Sequence, residues 1–131
     1  MSESLKGKVA VLTGVGSGFG KATAELFARL DQVNLVLIDY NEKALNETAE
    51  CCRGYGSQVV AIPGDVTKLE TFTAALDAVK ANWGKIDFLI NYAGGALKVA
   101  PIEEMDDEIN RKIIDLNLTS VFTVTKAVLP L

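Results

Sequence analysis

A chain of 131 residues, 49% of them hydrophobic, suits a single α/β domain with a sizeable core and is too apolar for a disordered segment. Its net charge of −4 provides no basic face for nucleic acid, and no apolar run approaches the length of a membrane span. The absence of histidine removes serine–histidine triads, histidine general bases and most zinc sites, so no metal centre is expected. The opening stretch from Met1 to Lys8 is polar and lacks the apolar segment of a secretory leader, which makes the cytoplasm the expected compartment, with an organelle matrix reached by other means as the alternative.

Strands and helices alternate along the chain. Residues 9–12 read as a first strand and residues 20–30 as a helix, with Ala22, Leu26 and Phe27 on its apolar face and Ala24 nearby. Asn34 to Asp39 is a continuous apolar run, the pattern of a strand covered on both faces. Asn41 is placed to cap a helix running to about Cys52, with Leu45, Ala49 and Cys52 on one face and Gly54-Tyr55-Gly56 as its stop. Cys51 and Cys52 are adjacent and lack CxxC spacing; Cys52 reads as a small core residue, with a redox or metal role as the alternative.

Residues 58–63 form the third strand. Thr67 with Glu70 offers a capping box for a helix whose inward stripe is Leu69, Phe72, Leu76 and Val79, ended by Gly84. Residues 86–91 form the fourth strand, followed by a loop from Ala93 to Ala96. One long helical pattern then runs from about Asp107 to Val128 through Ile109, Ile113, Leu116 and Ser120. Four βα units in succession imply a parallel sheet with helices on both faces and no internal linker.

The chemistry gathers after the first strand. Thr13-Gly14-Val15-Gly16-Ser17-Gly18-Phe19-Gly20 joins that strand to a helix N-terminus. Unpaired N–H groups and the helix dipole make such a turn a diphosphate cradle, and glycine lets the backbone come close. Glycine turns recur by chance, but this one lies inside a βαβ unit, and Asp39 ends the second strand about 20 residues on. The Asp39 carboxylate can accept from an adenosine ribose hydroxyl and repels a 2′-phosphate; its neighbours Ser17, Tyr40 and Asn41 supply no cation. NAD is therefore expected in preference to NADP. The other role open to Asp39 is that of a capping or loop acid.

These residues resemble the cofactor signature of the classical short-chain dehydrogenase/reductases, Thr13-Gly14-x-x-x-Gly18-x-Gly20. Asp65-Val66 resembles the family's adenine-contacting pair, and Asn91-Tyr92-Ala93-Gly94 resembles its Asn-Asn-Ala-Gly element with tyrosine in second place. Asn117, in Leu116-Asn117-Leu118, resembles the asparagine of the catalytic tetrad. The resemblance covers essentially the whole of residues 1–131. It implies the N-terminal, cofactor-binding part of a Rossmann-like doubly wound parallel sheet with three α/β/α layers. It also implies hydride transfer between nicotinamide and a secondary alcohol or ketone, with a small-molecule substrate.

Each match has a physical reading. Asp65 can accept from the adenine amino group or cap a turn, and the Val66 backbone can meet the ring. Ala93 and Gly94 lack bulk beside the cofactor ribose. Asn91 is expected to tie the fourth strand to its neighbours through side-chain hydrogen bonds, and Tyr92 to pack. The resemblance gives Asn117 a water that links the catalytic lysine to a proton relay; its other reading is a buried asparagine satisfying its own helix.

The family's catalytic serine and Tyr-x-x-x-Lys motif lie downstream of such an asparagine, and Tyr40, Tyr55 and Tyr92 have no lysine four residues later. The expectation is a cofactor-binding fragment of a longer enzyme, inactive alone, whose full-length parent is a homo-oligomer, dimer or tetramer. The rival expectation is a non-catalytic nucleotide-binding or subunit-interaction module.

Overall fold

The computed structural model describes residues 3–131; Met1 and Ser2, which open the polar N-terminal stretch, lie outside it. Strands β1 (Val9–Thr13), β2 (Asn34–Asp39), β3 (Val59–Pro63) and β4 (Phe88–Asn91) form one parallel sheet in the order β3-β2-β1-β4. Helices α1 (Gly18–Asp31), α2 (Glu42–Gly54) and α3 (Leu69–Asn82) fill the connections. The last helical stretch comprises α4 (Asp107–Ile114), a π-helical turn (Asp115–Thr119) and α5 (Ser120–Val128). The chain is thus the expected Rossmann-like, three-layer α/β/α arrangement.

Strand side chains alternate between faces, and each face of the sheet has its own core. Ala10, Leu12, Leu35 and Leu37 pack with Ala24 and Ala28 of α1 and with Leu45, Ala49 and Cys52 of α2. Val11, Val36 and Ile38 pack with Phe72, Ala75 and Val79 of α3 and with Val124 and Val128 of α5. Central strands β1 and β2 are buried along nearly their full length because both faces are covered. Each fully buried Leu, Ile or Phe stabilises the fold by roughly 1.5–3 kcal/mol relative to exposure.

Several local expectations need correction. In α1 the buried stripe is Gly20, Ala24 and Ala28, while Ala22 and Leu26 face outward. This helix starts against the glycine turn, so its innermost positions are small; Ala24 and Phe27 meet the expectation, Phe27 packing at the edge of the core near Phe88, while Leu26 is turned outward. Leu69 is likewise exposed, and α3 buries Thr71, Phe72, Ala75 and Val79. The Thr67–Glu70 capping box does not form: α3 begins after Lys68, and Thr67 instead donates both its N–H and its hydroxyl to Asp65 Oδ1, each at 2.8 Å. The single long terminal helix is interrupted by the π-helical turn. Among the described residues, no helix is long and apolar enough to cross a membrane.

Asn41 caps α2 as expected, accepting from Ala44 N–H at 3.1 Å. Cys52 is a fully buried core residue; burial, reinforced by adjacent Cys51 and by Glu25, pushes its thiol up to about 12. Burial and Glu25 also raise the Cys51 thiol. Both therefore stay protonated at neutral pH, which disfavours thiolate chemistry.

Candidate functional site

At the carboxyl ends of the strands the chain leaves a cleft of about 640 Å³. Its floor is the turn between β1 and α1. Gly14 has φ +70, and a Cβ there would lie 2.5 Å from the Ala93 nitrogen, so this turn passes directly against the backbone that leaves β4. Thr13 ties the same two segments together, its Oγ1 accepting from Ala93 N–H at 3.2 Å. A Cβ on Gly20 would collide with the Gly14 carbonyl oxygen, so only glycine lets α1 start this close to the strand end.

The start of α1 differs from the other helix starts that follow a loop. Asn41 caps α2 and Asp106 caps α4 with side-chain bonds, and α2, α3 and α4 carry acids in their first turns. Ser17 at the N-cap of α1 makes no side-chain capping bond, and the first turn of α1 has no acid. Its early N–H groups and positive dipole end therefore face the cleft. Phe19 and Tyr40, 82% and 84% exposed, stand at the rim.

Asp39 ends β2 inside this cleft. Its Oδ2 accepts from Gly16 N–H at 2.8 Å and its Oδ1 from Asn41 N–H at 2.9 Å. Each carboxylate oxygen keeps a lone pair for a further donor. No lysine or arginine lines the cleft among the described residues; Asp39 and Asp65 are its charged members.

Asp65 is exposed, and its Oδ1 is engaged in the turn with Thr67, while Val66 is buried beneath the cleft. The turn-capping role is thus realised, with Oδ2 left without a partner among the described residues. Asn91 sits opposite Thr13 in the β1–β4 ladder, but its side chain makes no hydrogen bond among the described residues and it does not line the cleft. The expected tie is made by the Thr13 hydroxyl, which already occupies the position between the strand ends. Tyr92 does more than pack: it is 43% exposed, lines the cleft and accepts from Thr23 Oγ1 at 3.3 Å.

Asn117 lies in the π-helical turn and is exposed rather than buried. Its Nδ2 donates to Gly95 O and to Ile113 O, both at 2.9 Å, and its Oδ1 accepts from Gly95 N–H at 2.9 Å. Only the Ile113 bond serves its own helix; the other two clip the loop after Gly94 onto that helix. A π turn shifts the backbone ladder by one residue, and such turns concentrate at functional sites. The pattern of apolar spacing gives no sign of this turn.

The family model described as short chain dehydrogenase matches residues 8–131. The chain belongs to the short-chain dehydrogenase family. Estradiol 17-beta-dehydrogenase 11 of Pongo abelii is 36% identical over 128 residues, covering 98% of this chain and 42% of that protein. The crystal structure of L-sorbose reductase from Gluconobacter frateurii, complexed with NADPH and L-sorbose, superposes with a TM-score of 0.88 at 30% identity, over 99% of this chain and 49% of that one. Carveol dehydrogenase from Mycobacterium avium, in complex with NAD, superposes with a TM-score of 0.87 at 25% identity, over 98% and 50% of the two chains. This short-chain dehydrogenase chain spans about half the length of the curated relatives it matches.

One residue missed in the sequence belongs to the site's support. Thr48, on α2, is fully buried and donates to the Val15 carbonyl within the glycine turn at 2.9 Å. The available signal was a hydroxyl residue inside the stripe Leu45, Ala49 and Cys52, where a buried donor needs an acceptor.

Proposed function

We propose that this chain is the dinucleotide-binding part of an NAD-dependent oxidoreductase acting on a secondary alcohol or ketone. The observation that carries this reading is the Asp39 carboxylate, held by two backbone N–H groups beside an uncapped helix start in a cleft that no cation lines among the described residues. The solved relatives include complexes with NADPH and with NAD, so the preference must come from this chain's own residues.

The cleft fits such a cofactor. The backbone of Gly14, Gly16, Ser17, Gly18, Phe19 and Gly20 would hold the diphosphate, aided by the dipole of α1. Asp39 would accept from the adenosine ribose hydroxyls, with Tyr40 alongside. A 2′-phosphate about 4 Å from Asp39 would cost up to roughly 4 kcal/mol per unit charge at an effective dielectric of about 20, less once salt screens it. Asp65 Oδ2 and the Val66 backbone would meet the adenine. Ala93 and Gly94 would form the wall toward the nicotinamide ribose, with Thr13 and Asn91 acting behind it through the strand ladder.

When bound, NAD supplies the hydride acceptor at C4 of nicotinamide. Asn117 holds the Gly95 loop and, in the complete protein, would order the water of a proton relay. The exposed apolar side chains Ile114, Leu118, Val121 and Phe122 on the last helical stretch support assembly as a homo-oligomer. The cytoplasm is the proposed compartment.

Calorimetric titration of the complete protein with NAD and with NADP tests the reading. NAD should bind at least about tenfold tighter, and Asp39→Asn should remove most of that difference by taking away the charge. Tighter binding of NADP by the unaltered protein would refute the assignment.

A further inference from the structure

The peptide group between Val15 and Gly16 is held at both polar ends. Its carbonyl oxygen accepts from Thr48 Oγ1 at 2.9 Å, and its N–H donates to Asp39 Oδ2 at 2.8 Å. A peptide group is planar, so fixing the direction of the carbonyl fixes the direction of the N–H on the other side. Thr48 is therefore connected to the Asp39 carboxylate through one rigid unit.

The ordinary explanation of a threonine within a helix is different. Such a hydroxyl usually turns back to the carbonyl four residues earlier. That acceptor is present, since Thr48 Oγ1 lies 3.2 Å from Ala44 O. A hydroxyl has one hydrogen to donate, and its shorter contact leads out of the helix to the turn. Thr48 has no exposed surface, so no water can take over if the bond is lost.

The geometry points to Thr48 as a positioning residue for cofactor selectivity: its buried hydroxyl orients the Val15–Gly16 peptide, and that peptide orients the Asp39 carboxylate. This inference rests on the reading that Asp39 selects NAD. The bond from Asn41 N–H holds only Oδ1 and leaves the carboxylate free to turn about it. The bond from Gly16 N–H to Oδ2 removes that freedom, and the carboxylate so fixed lines the cleft. Without Thr48 the peptide can tilt, the carboxylate can swing, and a 2′-phosphate meets a less well placed charge.

The test compares dissociation constants for NAD and NADP in the complete protein and its variants, with thermal melting to confirm folding. Thr48→Val keeps the shape and removes the donor, and should lower the preference for NAD by about fivefold to tenfold, the worth of one oriented hydrogen bond. Thr48→Ser keeps the hydroxyl and should retain the preference within about twofold of the unaltered protein. With Asp39→Asn already present, Thr48→Val should change the ratio no further, because there is no charge left to orient.

A folded Thr48→Val with unchanged preference overturns the inference, as does an equal shift with Thr48→Ser or an undiminished effect in the Asp39→Asn background. If Thr48→Val does not fold, Thr48→Cys, a weaker donor of similar size, replaces it and the same ratio decides. The two readings fail distinguishably. Absence of any NAD preference in the unaltered protein removes the Asp39 reading itself. A preference that depends on Asp39 and ignores Thr48 removes only this inference.

Discussion

Two aspartates mark opposite ends of the sheet and do opposite things. Asp87, just before β4 at the amino end, accepts from Val9 N–H at 2.8 Å and is flanked by Lys85 at 2.9 Å and Lys8 at 3.5 Å. Asp39, at the carboxyl end of β2, also accepts backbone N–H groups, but no cation among the described residues lines its cleft. The first carboxylate is used up in joining β1 to β4. The second is held in place with capacity to spare. In a parallel sheet the helix starts gather at the carboxyl ends of the strands, so that end already carries the positive dipoles an anionic ligand needs. At the other end Lys8 and Lys85 pair with Asp87, and neither belongs to the cleft.

The strongest way to break this contrast is to close the cleft end. Gly20→Ala places a Cβ against the Gly14 carbonyl, and turn and helix must separate. Overpacking of this kind typically costs about 1–3 kcal/mol, and here it falls on the diphosphate cradle. The expected loss of NAD affinity is about 100-fold or more, by calorimetry. Binding within tenfold of the unaltered protein would show that the turn can relax, and that the close approach is not what shapes the cleft.

The complementary change is Asp87→Ala at the amino end. Val9 is fully buried, and its N–H would lose its acceptor. That costs about 1–3 kcal/mol, read by chemical denaturation. The two lysines are about half exposed, at 45% and 49%, and add little. NAD affinity should stay within twofold. A parallel loss of affinity would mean that the two ends are coupled and the division between structural and ligand-facing carboxylates is false.

The contrast also explains what could be read in advance. Strand β2 was legible to the residue because a strand covered on both faces is continuously apolar. Family membership was legible because its signature is carried by glycines and short polar residues that backbone geometry demands at fixed places. The inward face of α1 was not, because close packing on the turn favours Gly20, Ala24 and Ala28 over the larger Leu26. The roles of Thr13, Thr48 and Asn117 were hidden or incomplete for a related reason. They act by hydrogen bonds to backbone atoms 80, 33 and 22 residues away respectively, and spacing within one element cannot show them.

The smallest expected effect sharpens the account of Asp87. The hydrogen bond from Lys85, then that from Val9 N–H, holds its carboxyl below the usual carboxylate range, against the opposing effect of burial. A carboxylate with a lower pKa folded than unfolded stabilises the fold at pH above the unfolded value of about 3.9, and that contribution is lost as pH falls through the folded value. Asp87→Asn keeps an oxygen for Val9 N–H and removes only the charge. The difference in unfolding free energy between the unaltered protein and this variant should therefore be constant above about pH 5 and shrink below about pH 4. Its size should stay under about 1 kcal/mol, because both lysine partners are screened by solvent. Urea denaturation at stepped pH measures it. A difference that grows toward acid would reverse the sign and show that the aspartate, rather than being held charged by its lysines, is strained by its burial.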